Sequence, residues 1–331
     1  MLENVLSWKK IPVKGVVLSA IIGGVSLIVS MYTPNALNSV IIALVLGVLV
    51  NNLIKVPSSF QEGISMSSSK LLEWSILFLA FSINYTSVAA LGVNSFISIL
   101  VTVLMVLILT FYLSKKLNCP GATGYLVGFG TSICGSSAIA ALAPSVVDAK
   151  NSEDVVVSMS VVNLLGSLGM ILFPIIFANL SLTNSQMALL VGGSLHSVGN
   201  VAGAGYALGD EIGEMSLTIK LARVALLSPA LIFFNYLVNR HKVKSWKEHF
   251  ILPWYLIGFF LISIFVSFIQ LPEGVLSWID FFGKVALTIA MAAIGLKVSF
   301  NKLIASGKKG IGFGIIIFLI QIGLLTLFFL M

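Results

Sequence analysis

Residues 128–144 read GFGTSICGSSAIAALAP, with four hydroxyls, one thiol and three glycines in the first ten positions. A soluble loop would carry charge here, and an ordinary membrane span would be mostly Leu, Ile and Val. The apolar run containing this stretch extends from 121 to 147, with Gly135 near its middle. A glycine inside a helix costs roughly 1 kcal/mol, and in lipid every freed backbone group needs a partner within the protein. The expectation is a helix broken at Gly135, with carbonyls of residues 131–134 and amides of residues 136–139 facing a cavity. Amides at a half-helix N-terminus attract anions, and Thr131, Ser132, Ser136 and Ser137 add donors. Close helix packing through small residues is the competing reading, and it needs no ligand.

The surrounding sequence defines the setting. Of 331 residues, 58% are hydrophobic and 9% charged, where soluble domains carry roughly a quarter charged residues. At about 20 residues per span, the length allows ten or eleven membrane helices. Apolar runs fall at 15–31, 36–53, 72–91, 95–113, 121–147, 155–178, 186–208, 215–239, 251–271, 279–299 and 310–330, so eleven spans are expected. The chain reads as one polytopic all-α membrane domain, 1–331. Residues 1–35 form a retained signal anchor, 36–180 a first half and 181–331 a second, on an inverted-repeat plan.

The net charge of +7 does not indicate nucleic acid, because Lys and Arg sit in small groups at the ends of apolar runs. With the N-terminus inside, fifteen basic residues fall on the inner face and Lys150 alone outside, which orients the chain N-in and C-out. Cys119 and Cys134 are expected at different depths. They supply neither a disulfide nor a metal framework, and no cofactor is expected.

Other polar groups lie within apolar runs. LVGFGTSICGSSAIA at 126–140 is echoed by LVGGSLHSVGNVAGA at 190–204, and LAFSINYTSVAALG at 79–92 by IGLKVSFNKLIASG at 294–307. The two echoes imply different registers and support recurring broken-helix segments better than one symmetry. His196 and Asn200 share a helical face at i, i+4; polar groups at that depth line an interior path or bridge two helices. Ser216, Lys220 and Arg223 share another face. Arg223 lies about 13 Å past Glu214 along a helix, too deep to snorkel, so a partner or an anionic ligand is expected. Lys297 can bind a ligand or snorkel to the interface, and Asn84 and Asn163 can bind or bridge. Every Asp and Glu is terminal or in a loop, apart from Glu73 at a helix start. A core with cations, half-helix amides and no carboxylate suits an anion, whereas cation antiporters need a buried carboxylate.

GTSICGSSAIAALAP, followed by LHSVGNVAGAGYALGDEIGEMSLTIKLARVALLSP, resembles the YeiH-type family of bacterial inner-membrane proteins, to which sulfate or sulfite export is ascribed. The resemblance runs over essentially the whole chain. It implies a fold related to the Na⁺/H⁺ antiporter and bile-acid symporter group, with crossing broken helices. It marks Thr131, Ser132, Cys134, Gly135 and Ser136, then His196, then Lys220 and Arg223. The chain departs from the family pattern at Ser197, where relatives carry an acid, and at Ser82 and Lys297, where they carry Arg. The expected function is a secondary transporter, an exporter, of a small anion such as sulfite or sulfate. Ser136, Ser137, nearby amides, Lys220 and Arg223 would hold the anion, and His196 would titrate during the cycle. The expected partners are a small anion, a coupling ion (H⁺ or Na⁺) and membrane lipid, without nucleic acid, and a homo-oligomer is compatible with the pattern. The alternatives are a cation/proton antiporter on the same fold and a membrane enzyme acting on a lipid-linked substrate.

Overall fold

The computed structural model describes residues 12–33, 38–54, 56–82, 92–119, 122–146, 152–238, 254–269, 271–298 and 308–330. Asn84, Lys150, most of the 79–92 and 294–307 echoes and the basic loop after 238 lie outside them. Among the described residues all regular secondary structure is helical. Within the described residues the eleven expected runs all coincide with helix, and three are interrupted: 121–147 and 186–208 near their centres, and 215–239 at Leu226. Five helices are long and apolar enough to cross a membrane, or six if a pair bent by 45° at Leu226 is one span. That is what length and composition support among the described residues.

The chain divides into two compact units that interleave along the sequence: 1–79 with 272–299, and 80–271 with 300–331. The halves read from the sequence, 36–180 and 181–331, each contribute to both units.

The first unit contains α1 (Val13–Ser30), α2 (Ser39–Ile54), α3 (Gln61–Met66), a π-helical turn (Ser67–Leu71), α4 (Leu72–Leu79) and α14 (Glu273–Lys297). Its helices meet through small residues. Gly47 of α2 lies against the Ala292 carbonyl and Gly295, and Gly295 against the Leu44 carbonyl, so neither position has room for a Cβ. Gly15 of α1 and Gly63 of α3 make a second backbone approach. Asn51 and Asn52 donate to the Val298 carbonyl at 3.0 and 2.9 Å, closing the C-terminal end of α14. On α1, Val13, Val17, Ile21, Val25 and Ile28 form an exposed apolar stripe suited to lipid.

The second unit contains α5 (Gly92–Lys116), α6 (Thr123–Ser132), α7 (Ser136–Val146), α8 (Ser152–Phe177), α9 (Asn184–Ser194), α10 (Val198–Leu208), α11 (Asp210–Ala225), α12 (Leu227–Val238), α13 (Trp254–Phe268) and α15 (Lys308–Leu330). Asp154 at the start of α8 accepts from the Ala122 amide and the Thr123 hydroxyl, both at 2.9 Å, which ties the start of α6 to α8. Gly124 and Gly128 of α6 pack directly on Ser114 and Thr110 of α5. Phe129, Ile139, Leu142, Val201 and Phe234 are fully buried around the paired short helices.

Candidate functional site: a junction of two helix breaks

The helix of the opening stretch stops where Gly135 was expected to break it. α6 ends at Ser132, Gly135 adopts φ +67°, and its amide donates to the Gly130 carbonyl at 2.7 Å. That bond spans six residues, as in a Schellman closure, and a left-handed φ is what glycine tolerates without cost. α7 then starts at Ser136, with the Ile139 amide bonded to the Gly135 carbonyl. α9 and α10 repeat the device across Leu195–Ser197, where Ser197 caps α10 by accepting from the Asn200 amide at 3.1 Å. The breaks touch: a Cβ on Gly135 would sit 3.4 Å from His196 Cβ.

Two cations from α11 occupy this junction, and both are fully buried. Lys220 Nζ donates to the Ile133 and Leu195 carbonyls, each at 2.7 Å, and so joins the two breaks. Arg223 donates through Nε to Ser132 O at 2.8 Å and through Nη2 to Thr131 O. Its Nη1 reaches Gly193 O at 2.8 Å, Leu195 O at 3.0 Å and Gly192 O at 3.3 Å. The acceptors are the terminal carbonyls of α6 and α9, which have no partner within their own helices and form the negative ends of two macrodipoles. The depth of Arg223 called for a partner or an anionic ligand; the observed partner is backbone.

The remaining sequence candidates divide by what their protons do. Thr131 donates to Val127 O at 2.8 Å and contacts His196 Nε2 at 3.3 Å, and Ser132 donates to Phe129 O at 2.8 Å, so these two buried hydroxyls are committed locally. Cys134 Sγ lies 2.8 Å from Ser137 Oγ, and Ser136 donates to Asn163 Oδ1 on α8 at 2.8 Å. Ser137 and Asn163 are exposed and Ser136 and Ser197 half-buried, so the reachable polar groups line the starts of α7 and α10. Asn200 is buried against Gly166 of α8. Lys297 belongs to the first unit, where its Nζ lies 3.3 Å from Ser68 Oγ. The junction gathers Thr131, Ser132, Cys134, Gly135, Ser136, Ser137, His196, Asn200, Lys220 and Arg223.

Sequence reasoning gave the run that forms α15 but missed its contribution to the junction. Gln321 is fully buried and donates to Gly193 O at 2.8 Å, while the Phe318 ring lies 4.9 Å from that of His196, tilted by 51°. A lone Gln in the middle of an apolar span was the available signal. His196 Nδ1 and Gln321 Oε1 are buried without a hydrogen-bond partner.

Charge accounting follows from these contacts. Arg223 contributes one positive charge, and Lys220 a second while it holds its proton. The ends of α6 and α9 offset about half a charge each, and the starts of α7 and α10 add about as much back. Among the described residues no Asp or Glu is buried, and neither cation has an ion-pair partner. The junction therefore carries a net positive field beside a row of amides and hydroxyls.

The family model described as Conserved hypothetical protein 698 matches residues 14–314. The chain belongs to this family. Its relatives include a UPF0324 membrane protein of Lactobacillus johnsonii, 32% identical over 84% of both chains. Another, the UPF0324 membrane protein CPE0129 of Clostridium perfringens, is 30% identical over 97% of this chain and 96% of its own. These relatives bear out the resemblance to the YeiH-type family, and with the apolar helices they make the chain a multi-pass membrane protein. The sodium proton antiporter MjNhaP1 of Methanocaldococcus jannaschii aligns over 93% of this chain and 98% of its own at 14% identity, with a TM-score of 0.25. A superposition that loose does not establish a shared fold.

Proposed function

We propose that the chain is a secondary transporter, an exporter, of a small anion such as sulfite or sulfate, in a bacterial inner membrane with its N-terminus cytoplasmic and its C-terminus outside. The observation that carries this reading is the pair of fully buried cations, unmatched by any acid among the described residues, at the meeting point of two helix breaks. Half-helix N-termini at a membrane midplane are how such carriers hold anionic groups. The anion sits at the starts of α7 and α10, on Ser136, Ser137, Asn163 and the first-turn amides. Lys220 and Arg223 act from behind as a field and as the clamp that shapes the junction, and His196 borders it.

A cation/proton antiporter would need a buried carboxylate to take the ion. Among the described residues every acid is half-buried or exposed. The test is anion flux in proteoliposomes, with sulfite and sulfate as substrates and Ser136→Ala and Asn163→Ala as variants. Anion-dependent flux weakened by both substitutions is the expected result; uptake of Na⁺ or K⁺ with no anion dependence would sink the proposal.

A further inference from the structure

We infer that this carrier works as an obligatory exchanger of divalent anions: an anion leaves the junction on one side of the membrane only in a cycle that returns another. The inference rests on the anion-carrier reading above and adds a mode of operation and a charge class.

The hydrogen-bonding groups that Lys220 and Arg223 meet, and the polar groups beside them, come from several elements. α6, α9 and the two breaks supply carbonyls and the Cys134 thiol, the second break also supplies His196, and α15 supplies Gln321. α8 supplies Asn163 to Ser136, and Gly166 packs on the second break. None of these is a carboxylate. The carbonyl ends offset about one charge and the two helix starts restore about one, so with Lys220 protonated the unloaded junction has a surplus of about two. A dianion cancels that surplus, and a monoanion leaves part of it.

Alternating access moves the junction between aqueous faces. Loaded with a dianion, it crosses nearly neutral. Empty, it carries uncompensated charge through a medium that solvates charge poorly. The return stroke is therefore slow unless a second anion is bound. A resident acid would remove this constraint, and the described residues place none there.

The experiment uses the full chain in proteoliposomes loaded with either unlabelled sulfate or gluconate, with radiolabelled sulfate outside and the potential clamped by potassium and valinomycin. Initial uptake is expected to be about tenfold or more faster into sulfate-loaded vesicles, the ratio set by ~1.4 kcal/mol of added barrier for the empty carrier. Asn163→Asp tethers a negative charge beside Ser136, and it is expected to move that ratio toward one while slowing exchange. Equal uptake under both loadings, still reduced by Asn163→Ala, overturns exchange and leaves the anion carrier standing. No uptake under either loading, with sulfite as well as sulfate, overturns both. An unchanged ratio in Asn163→Asp with exchange intact overturns the charge argument.

Discussion

Replacing Arg223 by Ala tests whether the guanidinium is a ligand or a clamp. As a clamp it engages five carbonyls, and the loss is uneven. Gly193 O keeps Gln321, Leu195 O keeps Lys220 and Gly192 O loses only a long 3.3 Å bond, whereas Thr131 O and Ser132 O lose the donor that reaches them from α11. A buried acceptor left unpaired costs about 1–3 kcal/mol, so two cost roughly 2–6 kcal/mol, a large share of a typical total of about 5–15 kcal/mol. Thermal unfolding of purified protein in detergent should fall on the order of 10 °C. Arg223→Lys keeps the charge but cannot fork to both breaks, and it should fall between the two. Were Arg223 only a substrate ligand, Arg223→Ala would abolish flux and leave the midpoint unchanged. An unchanged midpoint would refute the clamp.

Other perturbations separate the site from its supports. Ser136→Ala and Asn163→Ala each remove one hydrogen-bonding group at an accessible position, and should raise the anion KM severalfold, as about 0.5–1.5 kcal/mol implies, with the thermal midpoint held. Gly135→Ala forces a Cβ onto a residue at φ +67° and should cost about 1–2 kcal/mol, lowering both midpoint and flux. Gly47→Val or Gly295→Val should disrupt the α2–α14 approach, seen as loss of monodisperse protein on size exclusion, whereas Gly24→Val, with open space around it, should not.

The break at Gly135 was legible because glycine and hydroxyls inside a spanning run conflict with a continuous helix in lipid. The second break was partly legible through its echo of the first. The use of the hydroxyls was less so: Thr131 and Ser132 look like ligand donors in a string of residues, but each lies within one turn of a carbonyl that takes its proton. The burial of Lys220 and Arg223 followed from their distance past Glu214. Their acceptors did not, because the carbonyls they reach lie up to 92 residues earlier in the chain. Gln321 stayed hidden inside a run dominated by Ile, Leu and Phe. The interleaving of the two units was likewise invisible, since no local pattern announces that α14 packs with α1 and α2.

The cation clamp also bears on how the protein is made. Inserting Lys or Arg at the centre of a membrane helix costs about 2.5–3.5 kcal/mol each when no partner is present. Every carbonyl that receives Lys220 or Arg223 lies between Thr131 and Leu195, and so precedes α11 in the order of synthesis. When the cationic helix leaves the ribosome, the two interrupted helices that accept its charge have already been translated. Biogenesis can thus deliver the two charges to acceptors already in place, and the broken helices serve as the template on which α11 enters the membrane.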